Sequence, residues 1–270
     1  MKRLVKIFDR LKKRNECGLV AYVTCGDPDS DTTVEIVLAL EAAGATVIEL
    51  GVPFSDPIAD GPVIQEASQR ALARGTSVED VLSVAKRVRA KSRVPLIVFS
   101  YLNPLLAYGE ARFAKDAKHA GVDAVLVTDL PPESAGAFKK RLAKNGIGMV
   151  FLLAPTSSPE RVKLVDKMSD GFVYYVSTTG VTGARKDLEE SLLDTLDSTG
   201  KRLTKPFGVG FGVSEHEHYE ALAPRCQAVV VGSAIVKAIA DGDPGGAPKR
   251  AAKVVQRILG SSDDARFKAI

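Results

Sequence analysis

Short apolar runs alternate with amphipathic stretches along the whole chain. Between the runs, apolar residues recur every three or four positions, which is the spacing of a helix with one buried face. The runs themselves are rich in β-branched and aromatic residues and are apolar on both sides, so they predict strands of a parallel sheet covered on both faces. Eight such runs lie at 19–23, 46–50, 95–100, 124–129, 149–154, 172–177, 206–211 and 228–232.

The amphipathic stretches predict helices at 31–44, 77–92, 110–121 and 158–169. Ser77 precedes the second of these and is followed by Asp80, the offset of a capping box, which marks a helix start. Ser158 begins the fourth in the same way, but Arg161 stands where the acid would be, so this start is marked less strongly.

The first sixteen residues form a basic amphipathic segment with apolar residues at helical spacing: Leu4, Ile7, Phe8 and Leu11. Such a helix could lie on a membrane surface or cover an open end of the protein core. The second interpretation is favoured.

Eight β/α units in about 250 residues match the size of a single (β/α)8 TIM barrel, here with an extra N-terminal helix. The alternative is a doubly wound sheet, whose first βα turn is normally rich in glycine. The first turn here, residues 24–30, holds one glycine, and no linker divides the chain. We therefore expect one domain over residues 1–270, with residues 261–270 as a flexible tail.

The amino-acid composition limits the classes of partner and the cellular compartment that we expect for this protein. Of 270 residues, 45% are hydrophobic, and the net charge of +4 comes from basic and acidic residues that are interspersed, which argues against nucleic-acid binding. No run reaches membrane-spanning length, so we expect a soluble protein with no membrane partner. Cys17, Cys25 and Cys226 are scattered, and His216 and His218 are two apart, so neither a disulfide framework nor a metal site is indicated. A reducing cytoplasm fits this pattern.

Glu49 is the first candidate for chemistry. It lies near the carboxyl end of the second predicted strand, where a barrel builds its active site, and it shares a face with Val47. Burial at the rim of an apolar lumen raises the pKa of a carboxyl group and suits it to proton transfer near neutral pH. The alternative is an ion pair, but the eight runs contain no Lys or Arg.

Asp60 follows on a loop that prolines stiffen and glycines allow to turn sharply. The loop could position a catalytic carboxylate and close as a lid. Equally, Asp60 could cap a helix, because it precedes Gly61 and Pro62, and proline favours the first helical turn. The sequence leaves both interpretations open.

Glycine-rich segments at 180–183, 210–214 and 232–236 follow the last three predicted strands. Barrels often bind phosphate with these loops and with the N-terminus of a short helix, for which Gly232 and Ser233 are placed. Tyr174 and Tyr175 are adjacent in a strand, so one side chain faces the lumen and the other the outer helices.

The motifs together resemble the tryptophan synthase α subunit. They occur in family order: AYVTCGDPD at 21–29, IELGVPFSDPIADGPVIQ at 48–65, SYLNPLLAYG at 100–109, DLPPE at 129–133, GVTGAR at 180–185, GFGVS at 210–214 and GSAIVK at 232–237.

The resemblance implies a TIM-barrel lyase of tryptophan biosynthesis that cleaves indole-3-glycerol phosphate to indole and glyceraldehyde 3-phosphate without a metal or cofactor. Glu49 would be the acid/base, and Asp60 would assist at the indole ring. The family implies a phosphate site at Gly183, Gly212, Gly232 and Ser233, and an indole pocket at Tyr22, Tyr101, Tyr175 and Phe211.

Further expectations concern closure and assembly. Thr182 would meet Asp60 when the 179–183 loop closes, and Pro57, Asn103 and Pro104 would contact a β subunit that carries pyridoxal phosphate, in an αββα heterotetramer. Ser177-Thr178-Thr179 stands where many bacterial members carry Arg, and Tyr22 stands where Phe is common.

Two other functions remain open. Another phosphosugar lyase or isomerase would bind the phosphate but would have no use for Asp60. A catalytically dead barrel that only activates a β partner would not need both carboxylates.

Overall fold

The computed structural model describes residues 1–176, 190–210 and 212–261. Within these residues lie nine strands, and each predicted run overlaps at least one of them. Their bounds are β1 Gly18–Thr24, β2 Val47–Gly51, β3 Leu96–Ser100, β4 Ala124–Val127, β5 Gly148–Val150, β6 Leu152–Leu153, β7 Val173–Val176, β8 Phe207–Gly210 and β9 Ala228–Val231.

The helices follow the strands in alternation. They are α1 Lys2–Arg14, α2 Ser30–Ala42, α3 Pro62–Ala73, α4 Val78–Arg89, α5 Leu102–Tyr108, α6 Glu110–Ala120, α7 Gly136–Lys144, α8 Pro159–Met168, α9 Glu190–Gly200, α10 His216–Leu222, α11 Ser233–Ala240 and α12 Ala247–Leu259, with a 3₁₀ turn at Pro244–Gly246. The capping box at the start of α4 is present: Asp80 accepts from the Ser77 N–H and Ser77 accepts from the Asp80 N–H.

All strand pairs are parallel, in the order β5-β4-β3-β2-β1-β9-β8-β7-β6. β5 pairs with β4 and β6 pairs with β7, and only Phe151 separates β5 from β6 in the chain. The two short strands are therefore the fifth strand of a barrel that closes on itself. The (β/α)8 barrel prediction is confirmed, and the doubly wound alternative is wrong.

Helix α1 seals the N-terminal end of the barrel. Leu4, Ile7, Phe8 and Leu11 are buried and join the apolar lumen residues in one cluster, and Phe8 stacks on Phe172 at 4.9 Å between ring centroids. The prediction of a helix that covers an open end of the core is confirmed. At the same end, buried Asp123 accepts from Arg3 Nε at 3.0 Å, from Arg89 Nη2 at 3.3 Å and from the Leu96 N–H at 3.2 Å.

The larger part of the core lies between the outer face of the barrel and the surrounding helices. Of the helices in the described ranges, none is long and apolar enough to span a membrane.

Candidate active site

A cavity of about 580 Å³ opens at the carboxyl ends of the strands. Its wall combines apolar side chains of the lumen with carboxylates and glycine backbone. Among the residues that line the cavity are Tyr22, Glu49, Asp60, Phe99, Tyr174, Gly212, Gly232 and Ser233. This is the end of a (β/α)8 barrel at which active sites are built.

Glu49 lies in the middle of β2 and is completely buried, with its side chain reaching the cavity. Neither carboxylate oxygen has a hydrogen-bond partner among the described residues, and no ion pair of that part of the chain includes Glu49. Burial raises the pKa of Glu49 to about 8. At neutral pH the group is therefore mostly protonated and can give a proton to a bound molecule. The ion-pair interpretation of Glu49 is wrong for the part of the chain described.

Asp60 is half-buried at the cavity mouth, on the loop between β2 and α3. It does not cap α3: Gly61 is the N-cap and Pro62 opens the helix, so the capping interpretation is wrong. The loop is held by Tyr101, whose hydroxyl accepts from the Ala59 N–H at 2.9 Å, and by Gln65, which donates to the Asp60 carbonyl at 2.8 Å. Burial raises the pKa of Asp60 to about 6, and a hydrogen bond with Tyr101 opposes the rise.

The two carboxyl groups thus have different protonation states at neutral pH. Glu49 is largely an acid, and Asp60 is largely an anion. Environments that push the pKa values of two neighbouring groups apart are typical of acid/base sites. The arrangement can supply a proton at one place and stabilise positive charge at another.

Tyr22 stands beside Glu49, because Tyr22 on β1 is the register partner of Glu49 on β2. Its ring lies across Gly51 so closely that a Cβ atom at position 51 would be 2.2 Å from the Tyr22 hydroxyl. Phe99 contacts the ring edge to face at 5.3 Å between centroids. A flat aromatic slot next to the buried acid results.

Another part of the cavity wall is backbone, and Gly232 lies next to Tyr22. Gly212 has φ +63°, a left-handed conformation that glycine adopts without strain, and a Cβ there would meet nothing within 4 Å. Gly232 is the N-cap of α11 and Ser233 is its first residue. The free N–H groups at this helix start favour an anion such as phosphate.

Tyr174, and not Tyr175, faces the cavity. Tyr174 joins the lumen cluster, whereas Tyr175 is buried among the residues between the barrel and the helices. The expectation that Tyr175 lies around the indole is therefore wrong in this structure, because adjacent strand residues point to opposite faces. Tyr101 also stays out of the cavity wall and acts on it through the Asp60 loop.

Three expected site residues, Thr182, Gly183 and Phe211, lie outside the described residues, as do Ser177-Thr178-Thr179. Pro57 lies on the loop between β2 and α3, and Asn103 and Pro104 lie in the first turn of α5, where Asn103 is exposed. Ile58, next to Pro57, is 87% exposed, and Leu106 is 51% exposed. Each of the two exposed apolar side chains thus stands close in sequence to a residue expected to contact the partner.

The wall also contains polar residues for which no role was inferred from the sequence: Thr128, Asp129, Ser157 and Arg161. Thr128 and Asp129 directly follow β4, so the strand-end position that indicated Glu49 could have indicated them as well. Asp129 accepts from the Leu102 N–H at 2.7 Å, and Arg161 pairs with Glu133 at 2.7 Å. In the described ranges, no group of three or more His, Cys, Asp or Glu residues is placed to hold a metal.

The sequence matches the family described as tryptophan synthase alpha chain over residues 8–266. It is 48% identical to the tryptophan synthase alpha chain of Geotalea daltonii over 88% of this chain and 90% of that protein, and 50% identical to that of Geobacter sp. strain M21 over 88% and 89%.

Solved structures agree. The tryptophan synthase of Mycobacterium tuberculosis superimposes with a TM-score of 0.87 at 33% identity, covering 96% of this chain and 97% of that one. A Pyrococcus furiosus chain, from the tryptophan synthase a2b2 complex, does so with a TM-score of 0.85 at 41% identity, covering 90% and 98%. On this likeness in sequence and in fold, the chain belongs to the tryptophan synthase alpha chain family.

Proposed function

We propose that this chain cleaves indole-3-glycerol phosphate to indole and glyceraldehyde 3-phosphate, as a lyase of tryptophan biosynthesis. The observation that carries the proposal is Glu49: a fully buried carboxyl group without a partner among the described residues, at the wall of the cavity. An unpaired buried carboxyl group is costly for folding. Its presence in the cavity wall is explained by a substrate that supplies the missing partner.

The retro-aldol reaction requires two proton movements. Glu49 in its acid form donates a proton to indole C3, which makes the ring an indolenine that can accept the electrons of the breaking C–C bond. The resulting carboxylate takes the proton from the hydroxyl of the adjacent glycerol carbon. The C–C bond then breaks, its electron pair restores the indole ring, and the hydroxyl carbon becomes the aldehyde. Glu49 ends protonated, ready for another turnover.

Asp60 stabilises the charged ring. Protonation at C3 places positive charge on the indole N1–H, and an ionised carboxylate hydrogen-bonded there attracts it more in the transition state than in the ground state. The pKa of Asp60, about 6, leaves it mainly ionised at neutral pH. Its mouth position, held by Tyr101 and Gln65, suits this role.

Substrate binding divides between two parts of the cavity wall. We place the indole in the aromatic slot of Tyr22, Phe99 and Tyr174, and the phosphate at Gly212, Gly232 and Ser233. The resemblance adds Gly183 to the proposed phosphate site and Phe211 to the proposed indole pocket, and it implies that Thr182 meets Asp60 when the loop closes. The volume of about 580 Å³ suits a substrate of this size, and small-molecule sites usually measure 300–1,000 Å³.

A β subunit that carries pyridoxal phosphate is the proposed partner, in an αββα heterotetramer. The relative from Pyrococcus furiosus comes from an a2b2 complex. Exposed Ile58 beside Pro57, and exposed Leu106 beside Asn103 and Pro104, supply an apolar surface at the face that holds the active site. Indole released there would have a short path to the partner. We place the protein in the cytoplasm and propose no cofactor of its own.

The experiment measures indole release from indole-3-glycerol phosphate by the purified chain with a β subunit added. Glu49→Gln should lose at least 10³-fold in kcat, within the range of general acid–base contributions. Glu35→Gln is the matched control, because Glu35 on α2 is exposed. If wild type releases no indole but phosphate compounds still bind, another phosphosugar lyase or isomerase is the answer. If Glu49→Gln keeps full activity, Glu49 is not the acid.

A further inference from the structure

Two thiols that are 209 positions apart in sequence lie side by side at the N-terminal end of the barrel. Cys17 directly precedes β1, and Cys226 stands two residues before β9, the strand that pairs with β1. Their Sγ atoms are 4.0 Å apart. Neither cysteine touches the cavity at the other end of the barrel, so the active site does not explain this pair.

The backbone that carries the thiols is well fixed. The Gly18 N–H donates to the Gln227 carbonyl at 2.9 Å, which extends the β1–β9 ladder to the residues next to both cysteines. The Tyr219 hydroxyl donates to the Cys17 carbonyl at 2.6 Å and ties α10 to the same place. The two thiols are therefore held near each other by the sheet itself and do not meet by chance motion of loops.

A disulfide needs an S–S distance of about 2.05 Å and Cα atoms about 4.4–6.8 Å apart. The register that pairs Gly18 with Ala228 sets Cys226 one position away from the residue opposite Cys17. With strands about 4.8 Å apart and a rise of about 3.3 Å per residue, the Cα atoms lie about 6 Å apart, within that range. The sulfurs must approach by about 2 Å, which rotation about the Cα–Cβ bonds can supply. The described structure holds the thiols only by weak hydrogen bonds. The Cys226 thiol donates to the Leu222 carbonyl at 3.3 Å, and the Cys17 thiol donates to the Gly18 carbonyl at 3.6 Å.

We propose that Cys17 and Cys226 are a site of reversible oxidative modification, forming an intramolecular disulfide with hydrogen peroxide or with a small disulfide such as oxidised glutathione. The bond links the start of β1 to the start of β9 and so fastens the barrel at the end opposite to the active site. Cys25 takes no part.

The different solvent exposure of the two thiols sets the order in which they react with the oxidant. Cys17 is half-buried and Cys226 is buried, so the oxidant meets Cys17 first. The Cys17 thiol loses its proton, and its sulfur attacks peroxide and breaks the O–O bond to give a sulfenic acid and hydroxide, which takes up that proton and becomes water. The Cys226 sulfur then attacks the Cys17 sulfur, and the leaving hydroxyl takes the Cys226 proton and departs as a second water. Two thiols and one peroxide thus give one disulfide and two waters. The hydrogen bond with Cys17 and burial both raise the pKa of Cys226, so the second step is the slower one at neutral pH.

The test counts thiols in the full chain. Wild type is treated with hydrogen peroxide, unfolded, alkylated and weighed by mass spectrometry, with peptide mapping to locate the bond. Of three alkylatable thiols, one should remain, and dithiothreitol should restore all three. Cys17→Ser should keep both of its thiols, whereas Cys25→Ser should still lose two. The midpoint of thermal unfolding should rise by roughly 5–10 °C on oxidation in wild type and in Cys25→Ser only.

Several results would overturn the proposal. Wild type could keep three thiols under conditions that fully oxidise free glutathione, or the bond could include Cys25. The chain could form dimers linked through Cys17, or Cys17 could go on to sulfinic acid with Cys226 still reduced. Each of these results can be read from wild type alone, so the conclusion does not depend on whether a cysteine variant folds.

Discussion

Glu49 and Asp123 are both buried carboxyl groups of the same barrel, and their surroundings are opposite. Asp123, at the N-terminal end, accepts from Arg3, Arg89 and the Leu96 N–H. Glu49, on β2, has no partner in the described structure. The satisfied carboxylate connects α1, α4 and β3 and serves folding. The unsatisfied one raises the energy of the folded chain until a substrate arrives, and serves chemistry.

The sharpest test of this contrast is the effect of each acid on activity. Glu49→Gln should reduce the kcat of indole release by about 10³–10⁴-fold while the unfolding free energy stays equal or rises, because Glu49 must take up a proton to be buried at neutral pH and an amide need not. Steady-state kinetics and urea unfolding of the same preparation check both halves. Equal losses of stability and activity would contradict the assignment of a purely chemical role.

Substitution of Asp123 should reduce stability and leave activity unchanged, the reverse of the effect expected at Glu49. Asp123→Ala should lower the unfolding free energy by about 3–5 kcal/mol, because it leaves Arg3 and Arg89 without their common carboxylate. Urea unfolding measures the loss, and Asp123→Asn, which keeps one acceptor for the Leu96 N–H, should lose less. The kcat of the folded fraction should remain near that of wild type; a lowered kcat would mean that the two ends of the barrel are coupled.

The pH dependence of stability separates the two acids further. The folded-state pKa of Glu49, about 8, lies above the unfolded value near 4.5, so folded protein keeps a proton that the unfolded chain has lost. The unfolding free energy should therefore fall as pH rises from about 5 to 8, by at most about 1.4 kcal/mol per unit from this group. Urea titrations at several pH values should show this fall in wild type and a flatter profile in Glu49→Gln. Identical profiles would rule out a raised Glu49 pKa.

Asp60 lies between the two extremes, half-buried and partly supported by its loop. Asp60→Asn should reduce kcat by about 10²-fold, since an amide can accept from the indole N–H but cannot offset its charge. Its effect on KM should be small. A change in KM alone, with kcat unchanged, would assign Asp60 to binding and not to the transition state.

The smallest expected effect is on kcat/KM, in a comparison of substitutions at the neighbouring residues Tyr174 and Tyr175. Tyr174→Phe should change kcat/KM severalfold, because its side chain faces the cavity, and Tyr175→Phe should leave kinetics unchanged and affect only stability, by about 1 kcal/mol. Kinetics of the two variants side by side give the answer. The opposite pattern would return Tyr175 to the indole pocket.

The sequence predicted the barrel and Glu49 because both depend on local signals. Eight apolar runs separated by amphipathic stretches leave few alternatives, and an acid in an apolar strand is conspicuous. The split of the fifth strand at Phe151 has no such signal, because it depends on which neighbour each half pairs with. The prediction that Tyr175 lines the indole pocket was wrong because an error of one residue along a strand exchanges the face inside the barrel for the face outside it.

Asp60 and the thiol pair show two further limits of the sequence. Asp60 before Gly61-Pro62 suits a cap as well as a mouth residue, and only the position of the loop against Tyr101 decides between them. Cys17 and Cys226 meet because β1 and β9 are neighbours in the closed sheet, which follows from the tertiary fold and not from any spacing between cysteines.

The Tyr22 ring over Gly51 limits how this site can vary in evolution. Any side chain at position 51 would collide with an aromatic ring at position 22, since the ring carbon Cζ and the hydroxyl both lie within 3 Å of a Cβ there. Positions 22 and 51 are therefore coupled: alanine at 51 requires the Tyr22 ring to leave its present place or a smaller side chain to replace it. Engineers who reshape the slot for substituted indoles face the same coupling, and libraries that vary Tyr22 should vary Gly51 with it.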